Sequence, residues 1–167
     1  MNSLQAARDS KISEVEMTEL ILPQHSNNMN TVFGGVLTSW VDMAASISAL
    51  RHANKPVVTA SIDAMHFFQP IKLGWIVRIK AKVNQTWNSS CEVGVKIFAE
   101  NTLTNETYHT ASAYVTMVAL DSHNRPTPIP QVSHVAPEDK KRQEAADMRR
   151  ASRLKLKQEL AQRHHNK

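Results

Sequence analysis

Residues 25–46 read HSNNMNTVFGGVLTSWVDMAAS. Three asparagines, Asn27, Asn28 and Asn30, stand before a glycine pair, Gly34-Gly35, and the apolar run that follows carries one charge, Asp42. Each of these residue types has a chemical use. The first N–H groups of a helix have no intrahelical partner, and glycines there let a ligand approach them closely. Such donors suit the oxygen of a carbonyl as it gains negative charge, and a well-placed one contributes about 3–4 kcal/mol of transition-state stabilisation. Asp42 lies two helical turns, ~10 Å, beyond Gly35. If a substrate lies across the helix, a carboxylate there can act as general base or as nucleophile through an acyl anhydride. Asn27 offers donor and acceptor groups that can position a water or a carbonyl. Each residue also has an ordinary use. A glycine pair is a packing or turn device, a lone acid sits on a solvent-facing edge or is hydrogen-bonded in an interface, and asparagines form loops and caps.

Other reactive chemistry is sparse. The eight histidines show no metal-ligand spacing. His66 and His109 fall on strand-like segments, where structural roles suffice, and His25 is close enough to Asn27 to line a pocket. There is no glycine-rich phosphate loop and no serine or cysteine triad. Cys91, in the alternating stretch CEVGVKIF, reads as a buried packing residue. A single cysteine allows no internal disulfide and fits a reducing, cytoplasmic setting.

The elements that must carry these residues follow from periodicity. EVEMTELIL (14–22) reads as a strand ending at Pro23. Residues 34–53 read as a long helix, with Val36/Leu37, Trp40/Val41, Ala44, Ile47 and Leu50/Arg51 recurring at helical spacing and Asn54-Lys55-Pro56 ending it. Four strand-like segments follow, at 57–68, 75–83, 91–100 and 107–120. In the second, Val77, Ile79, Ala81 and Val83 alternate with Ile76, Arg78, Lys80 and Lys82. In the first, Ala60 and Ala64 share a face where a helix can approach. A proline-broken exit leads to a helix-prone segment over about 137–163 with a thin apolar face. The expected fold is α+β: an antiparallel sheet of about five strands wrapped around one long central helix, plus a C-terminal helix.

At 167 residues, 41% hydrophobic and 21% charged, the chain suits one soluble domain with an appendage, and no apolar run is long enough to span a membrane. The N-terminal stretch is polar and lacks the core of a signal peptide. The formal net charge of +5 is unevenly placed. From Pro137 onward there are 10 Lys/Arg and 5 Asp/Glu, against 10 and 10 before it. The expected organisation is a flexible N-terminus over 1–12, a folded domain over 13–132 and a basic helical extension over 133–167.

With these elements in place, PQHSNNMNTVFGGVLTSWVDMAASISALRHA (23–53) resembles hotdog-fold acyl-CoA thioesterases of the cytosolic acyl-CoA hydrolase type. The family pattern has a proline, an asparagine, a short spacer, an aromatic or similar residue, Gly-Gly, six residues and an acid on the helix, often closing with Arg-His. VVTASIDAMHFFQPIKLGW (57–75) and SAYVTMVALDSHNRPTPIPQV (112–132) also resemble family segments, so the likeness covers about 13–160. It implies that Asp42 is the catalytic carboxylate, that Asn27 is its partner from a second protomer, and that Thr59 supplies a hydroxyl supporting the carboxylate. It implies an oxyanion site at Gly34 and Gly35, edge-to-edge dimers and a hexamer built from three of them. Many members have glycine at the position of Asn30, and asparagine is the next best residue for a left-handed backbone.

The expected reaction is hydrolysis of a fatty acyl-CoA to free fatty acid and CoA, with no cofactor beyond the CoA of the substrate itself. CoA carries three phosphate groups, and the candidates to bind them are the turn Asn88-Ser89-Ser90 and the tail arginines Arg149, Arg150 and Arg153. A solvated charged helix is the plainer use of that tail. Nucleic acid is disfavoured as a partner, since no aromatic residue follows Pro126 to stack on bases. Membrane insertion is disfavoured by the thin apolar face. The alternative function is a non-catalytic acyl-CoA-binding regulator on the same fold, which binds without turnover.

Overall fold

Alternating apolar positions along three long strands create one continuous inner face, and a small-residue helix fills it. The structure, a computed structural model, describes residues 6–63, 65–134 and 136–165. In chain order the elements are β1 (Arg8–Asp9), β2 (Val15–Leu20), α1 (Gly34–Ala53), β3 (Val57–Ile62), β4 (His66–Phe67), β5 (Ile76–Thr86), β6 (Ser90–Asn101), β7 (Glu106–Ala119), β8 (Val132–Ser133) and α2 (Pro137–His165). The main sheet runs β2-β5-β6-β7-β3 with every neighbour antiparallel, and β4 also pairs with β7. Val77, Ile79, Ala81 and Val83 of β5 are buried, as are Val93, Val95 and Ile97 of β6 and Ala113, Val115 and Met117 of β7. The alternation read over 75–83 is therefore the alternation of the folded sheet.

The helix α1 packs against β2, β3, β5, β6 and β7 with the bounds its sequence predicts. It ends where Asn54 turns left-handed, at φ 52°, and donates its N–H to Leu50 O. The buried stripe is Leu37, Val41, Ala44, Ala45, Ser48, Ala49 and His52. This corrects the expected stripe: Ile47 is only partly buried, Leu50 is exposed, and Arg51 lies at the surface with Nη1 donating to Glu14 O at 2.5 Å. The alanine-rich side wins because a curled sheet needs close approach to the helix. His52 joins that side because its Nε2 meets Pro130 O at 3.0 Å.

The segment 57–68 forms two strands rather than one. The β3–β7 register shifts between Thr59 and Ser61, so Ala60 is an extra, exposed residue in a bulge and does not face the helix as expected. Ala64, its expected companion, lies outside the described residues. Residues 8 and 9, within the stretch expected to be flexible, form β1, which pairs in parallel with β8, and the Arg8 guanidinium donates to His52 O at 2.8 Å.

The chain divides into two compact units, 1–133 and 134–167. The second is α2, 29 residues long. Among the described residues no helix is long and apolar enough to cross a membrane.

Candidate active site

The loop before α1 is built by Asn27. Its Oδ1 accepts the Met29 N–H at 2.9 Å and the Thr31 N–H at 3.3 Å, which folds the backbone back on itself. The Thr31 hydroxyl lies 3.1 Å from Asn27 Nδ2 and 3.2 Å from Oδ1. Asn30 takes the left-handed conformation at φ 54°, as the resemblance required of a residue standing where glycine is common. The loop then returns through Val32, whose N–H donates to Ile71 O at 2.8 Å, and Phe33, whose N–H donates to His25 O at 2.8 Å. His25 stands edge-on to Trp40, with ring centroids 5.2 Å apart, and its Nδ1 accepts the Leu22 N–H, so it braces the loop.

Gly34 and Gly35 open α1 after Phe33, which has no side-chain capping bond. Neither glycine has positive φ, so their value is space rather than backbone freedom. The Gly34 and Gly35 N–H groups have no hydrogen-bond partner among the described residues. A Cβ at Gly34 would stand 3.7 Å from Phe67 Cζ, and one at Gly35 would fall 2.6 Å from Phe33 Cε1. Gly34 borders a pocket of about 350 Å³ whose other walls include Val32, Leu37, Phe67, Phe68 and Ile71. The helix start therefore offers unpaired donors at the edge of an apolar recess.

Asp42 is half-buried, and its Oδ1 accepts a 2.5 Å hydrogen bond from the Thr59 hydroxyl. Thr59 sits immediately before the bulge, the usual place for a strand to re-aim a side chain. Asp42 Oδ2 has no partner among the described residues. The structure thus brings together Asp42 and Thr59, which lie 17 residues apart in sequence. Among the described residues no hydrogen bond joins Asn27 to Asp42, and the partners of Asn27 lie in its own loop.

The remaining candidates are more dispersed. Asn88 and Ser89 lie in the β5–β6 connection and Ser90 opens β6, and their carbonyl groups accept N–H groups from Ile129, Ala119 and Trp87. Arg149, Arg150 and Arg153 lie on α2, in the second unit. Cys91 is buried, and burial, reinforced by the Glu92 charge, pushes its thiol up to about 12, which leaves no thiolate for nucleophilic chemistry. His109 packs between Phe68 and Phe98 and pairs Nε2 with Ser112 Oγ at 2.8 Å. Sequence reasoning missed Thr31 and the recess walls Phe67 and Ile71. An asparagine followed four residues later by threonine was the available signal for the first.

A curled antiparallel sheet wrapped around one long helix, with unpaired donors at the helix start and a carboxylate two turns on, defines the hotdog class of proteins. Comparison with known proteins narrows this. Residues 29–105 match the family model of the thioesterase superfamily. The uncharacterized acyl-CoA thioester hydrolase YkhA of Bacillus subtilis (strain 168) is 42% identical over 75% of this chain and 73% of its own length. The cytosolic acyl coenzyme A thioester hydrolase of Rattus norvegicus is 34% identical over 78% of this chain, which spans 35% of that longer protein. Among solved structures, the acyl-CoA hydrolase of Bacillus cereus superimposes with a TM-score of 0.89 at 36% identity, covering 93% of this chain and 95% of the other. The acyl-CoA hydrolase of Staphylococcus aureus, solved with butyryl coenzyme A, coenzyme A and coenzyme A disulfide, gives 0.83 at 33% identity over 93% and 97%. The chain belongs to the thioesterase superfamily, among its hotdog-fold acyl-CoA thioesterases.

Proposed function

We propose that the protein hydrolyses fatty acyl-CoA to free fatty acid and CoA in the cytoplasm, with Asp42 as the general base. The observation that carries this reading is the hydrogen bond from Thr59 to Asp42. It commits one carboxylate oxygen to the protein and leaves the other to a water. The water attacks the thioester carbonyl, its proton passes to Asp42, and the developing oxyanion rests on the Gly34-Gly35 N–H groups. The CoA thiolate leaves and takes up a proton. The scheme draws on no metal or other cofactor. A further support is spacing. The Staphylococcus aureus hydrolase has been solved as Asn, Asp and Thr variants, each changed to alanine, at positions 15 and 17 residues apart. Asn27, Asp42 and Thr59 have the same two spacings here.

Asn27 reaches the site from a neighbouring protomer. A hexameric acyl-CoA thioesterase superimposes on this chain with a TM-score of 0.88, and the edge of β3, where Val58 and Ile62 are exposed, is unpaired among the described residues. An edge of that kind favours pairing with a second copy. The 88–90 turn is one candidate to take the phosphates of CoA, and Arg149, Arg150 and Arg153 of α2 are a separate candidate. The test is turnover of an acyl-CoA series by wild type and Asp42→Ala. The expected loss in kcat is roughly 10²–10⁴-fold, the usual contribution of a general base. Retained turnover in the variant overturns the mechanism.

A further inference from the structure

We infer that Thr31 is the positioning residue for Asn27, fixing its amide with the carbonyl turned into the loop and one N–H turned out. The inference rests on the thioesterase reading above and adds a residue and a direction to it. Two backbone donors, the N–H groups of Met29 and Thr31, point at one end of the Asn27 amide. Only the oxygen can accept them. The flipped amide would set NH₂ against both, losing two hydrogen bonds at a half-buried site.

The Thr31 hydroxyl lies along the remaining edge of the amide, almost equidistant from Nδ2 and Oδ1 at 3.1 and 3.2 Å. There it accepts the Nδ2 hydrogen on the oxygen's side and can return its own proton to Oδ1. Thr31 cannot drift, because its carbonyl accepts the Asn27 N–H at 2.8 Å and its backbone bridges to Lys72. What Asn27 has left is a single Nδ2 hydrogen. Asn27 therefore acts on substrate or water as a donor and not as an acceptor.

The experiment compares Thr31→Val, Thr31→Ser, Asn27→Asp and Asn27→Ala by kcat, KM and melting temperature on one acyl-CoA. Thr31→Val is expected to lower kcat roughly fivefold or more, as loss of one positioning hydrogen bond implies, with KM held. Thr31→Ser restores kcat, which a merely structural role for the side chain would not require. Asn27→Asp keeps the acceptor for both backbone N–H groups, so it melts close to wild type. It lacks the outward N–H, so its kcat falls as far as that of Asn27→Ala. Wild-type kcat in Thr31→Val, or in Asn27→Asp while Asn27→Ala is impaired, overturns the inference and leaves the thioesterase reading standing. Wild-type kcat in Asn27→Ala removes Asn27 from the mechanism itself.

Discussion

At the scale of the residue, the site depends on which atoms are already committed. Thr59 occupies one oxygen of Asp42 at 2.5 Å. A hydrogen bond to a charged group contributes about 1.5–3 kcal/mol, so Thr59→Val is expected to lower kcat by roughly one to two orders of magnitude and to lower the melting temperature as well. Steady-state kinetics with thermal melting checks both. Cys91 supplies a pH dependence of stability rather than of catalysis. Its folded thiol titrates near 12 against an ordinary 9.0. Between those values the unfolded chain releases a proton that the folded chain keeps, so stability is full below about pH 9 and falls as pH rises toward 12. Urea midpoints at pH 8 and pH 10 are expected to differ more for wild type than for Cys91→Ala.

At the scale of the element, periodicity and punctuation made most of the fold legible. The long helix announced both its ends, and the strand alternation marked the inner face of the sheet. What stayed hidden depended on contacts between elements. The stripe of α1 could not be separated from its neighbour by hydrophobicity, because Ser48 and His52 are buried for reasons of close approach and a partner carbonyl. The bulge at Ala60 left no trace in composition. Of the site, Asp42 and the glycine pair were legible as a carboxylate two turns beyond a helix start, and Thr59 only through the family likeness. Thr31 was missed: its role arises from loop closure, and the Asn–Thr spacing of four residues was its one signal. Gly94 is a further contact effect. A Cβ there would meet Asn84 Nδ2 at 2.6 Å, and that amide donates to the buried Glu92 at 3.1 Å. Gly94→Ala is expected to displace the amide and cost about 1–3 kcal/mol by chemical denaturation, with kcat per folded enzyme unchanged.

At the scale of the whole molecule, the proposed catalytic pair is divided. Asn27 is tied into its own loop and Asp42 is tied to Thr59, with no bond between the two in one chain. If each site takes Asn27 from one protomer and Asp42 from another, then Asn27→Ala and Asp42→Ala proteins, each impaired alone, complement one another. Random re-association of equal amounts through a two-fold interface is expected to restore roughly a quarter of wild-type activity. Activity assays after mixed refolding check this, and no recovery would place the pair within single chains.

The bulge also bears on how the length of this chain can change. Ala60 faces no partner of its own on β7, while Thr59 keeps Met117 and Ser61 keeps Thr116. A single-codon deletion there would leave all other β3–β7 pairs on their present partners, whereas the same deletion elsewhere in β3 would slip the register and turn side chains to the wrong face. The coding frame thus has one point beside the carboxylate where the strand can lose a residue without losing its pattern. The change would be felt in the aim of Thr59, so catalysis is more exposed to that event than folding is.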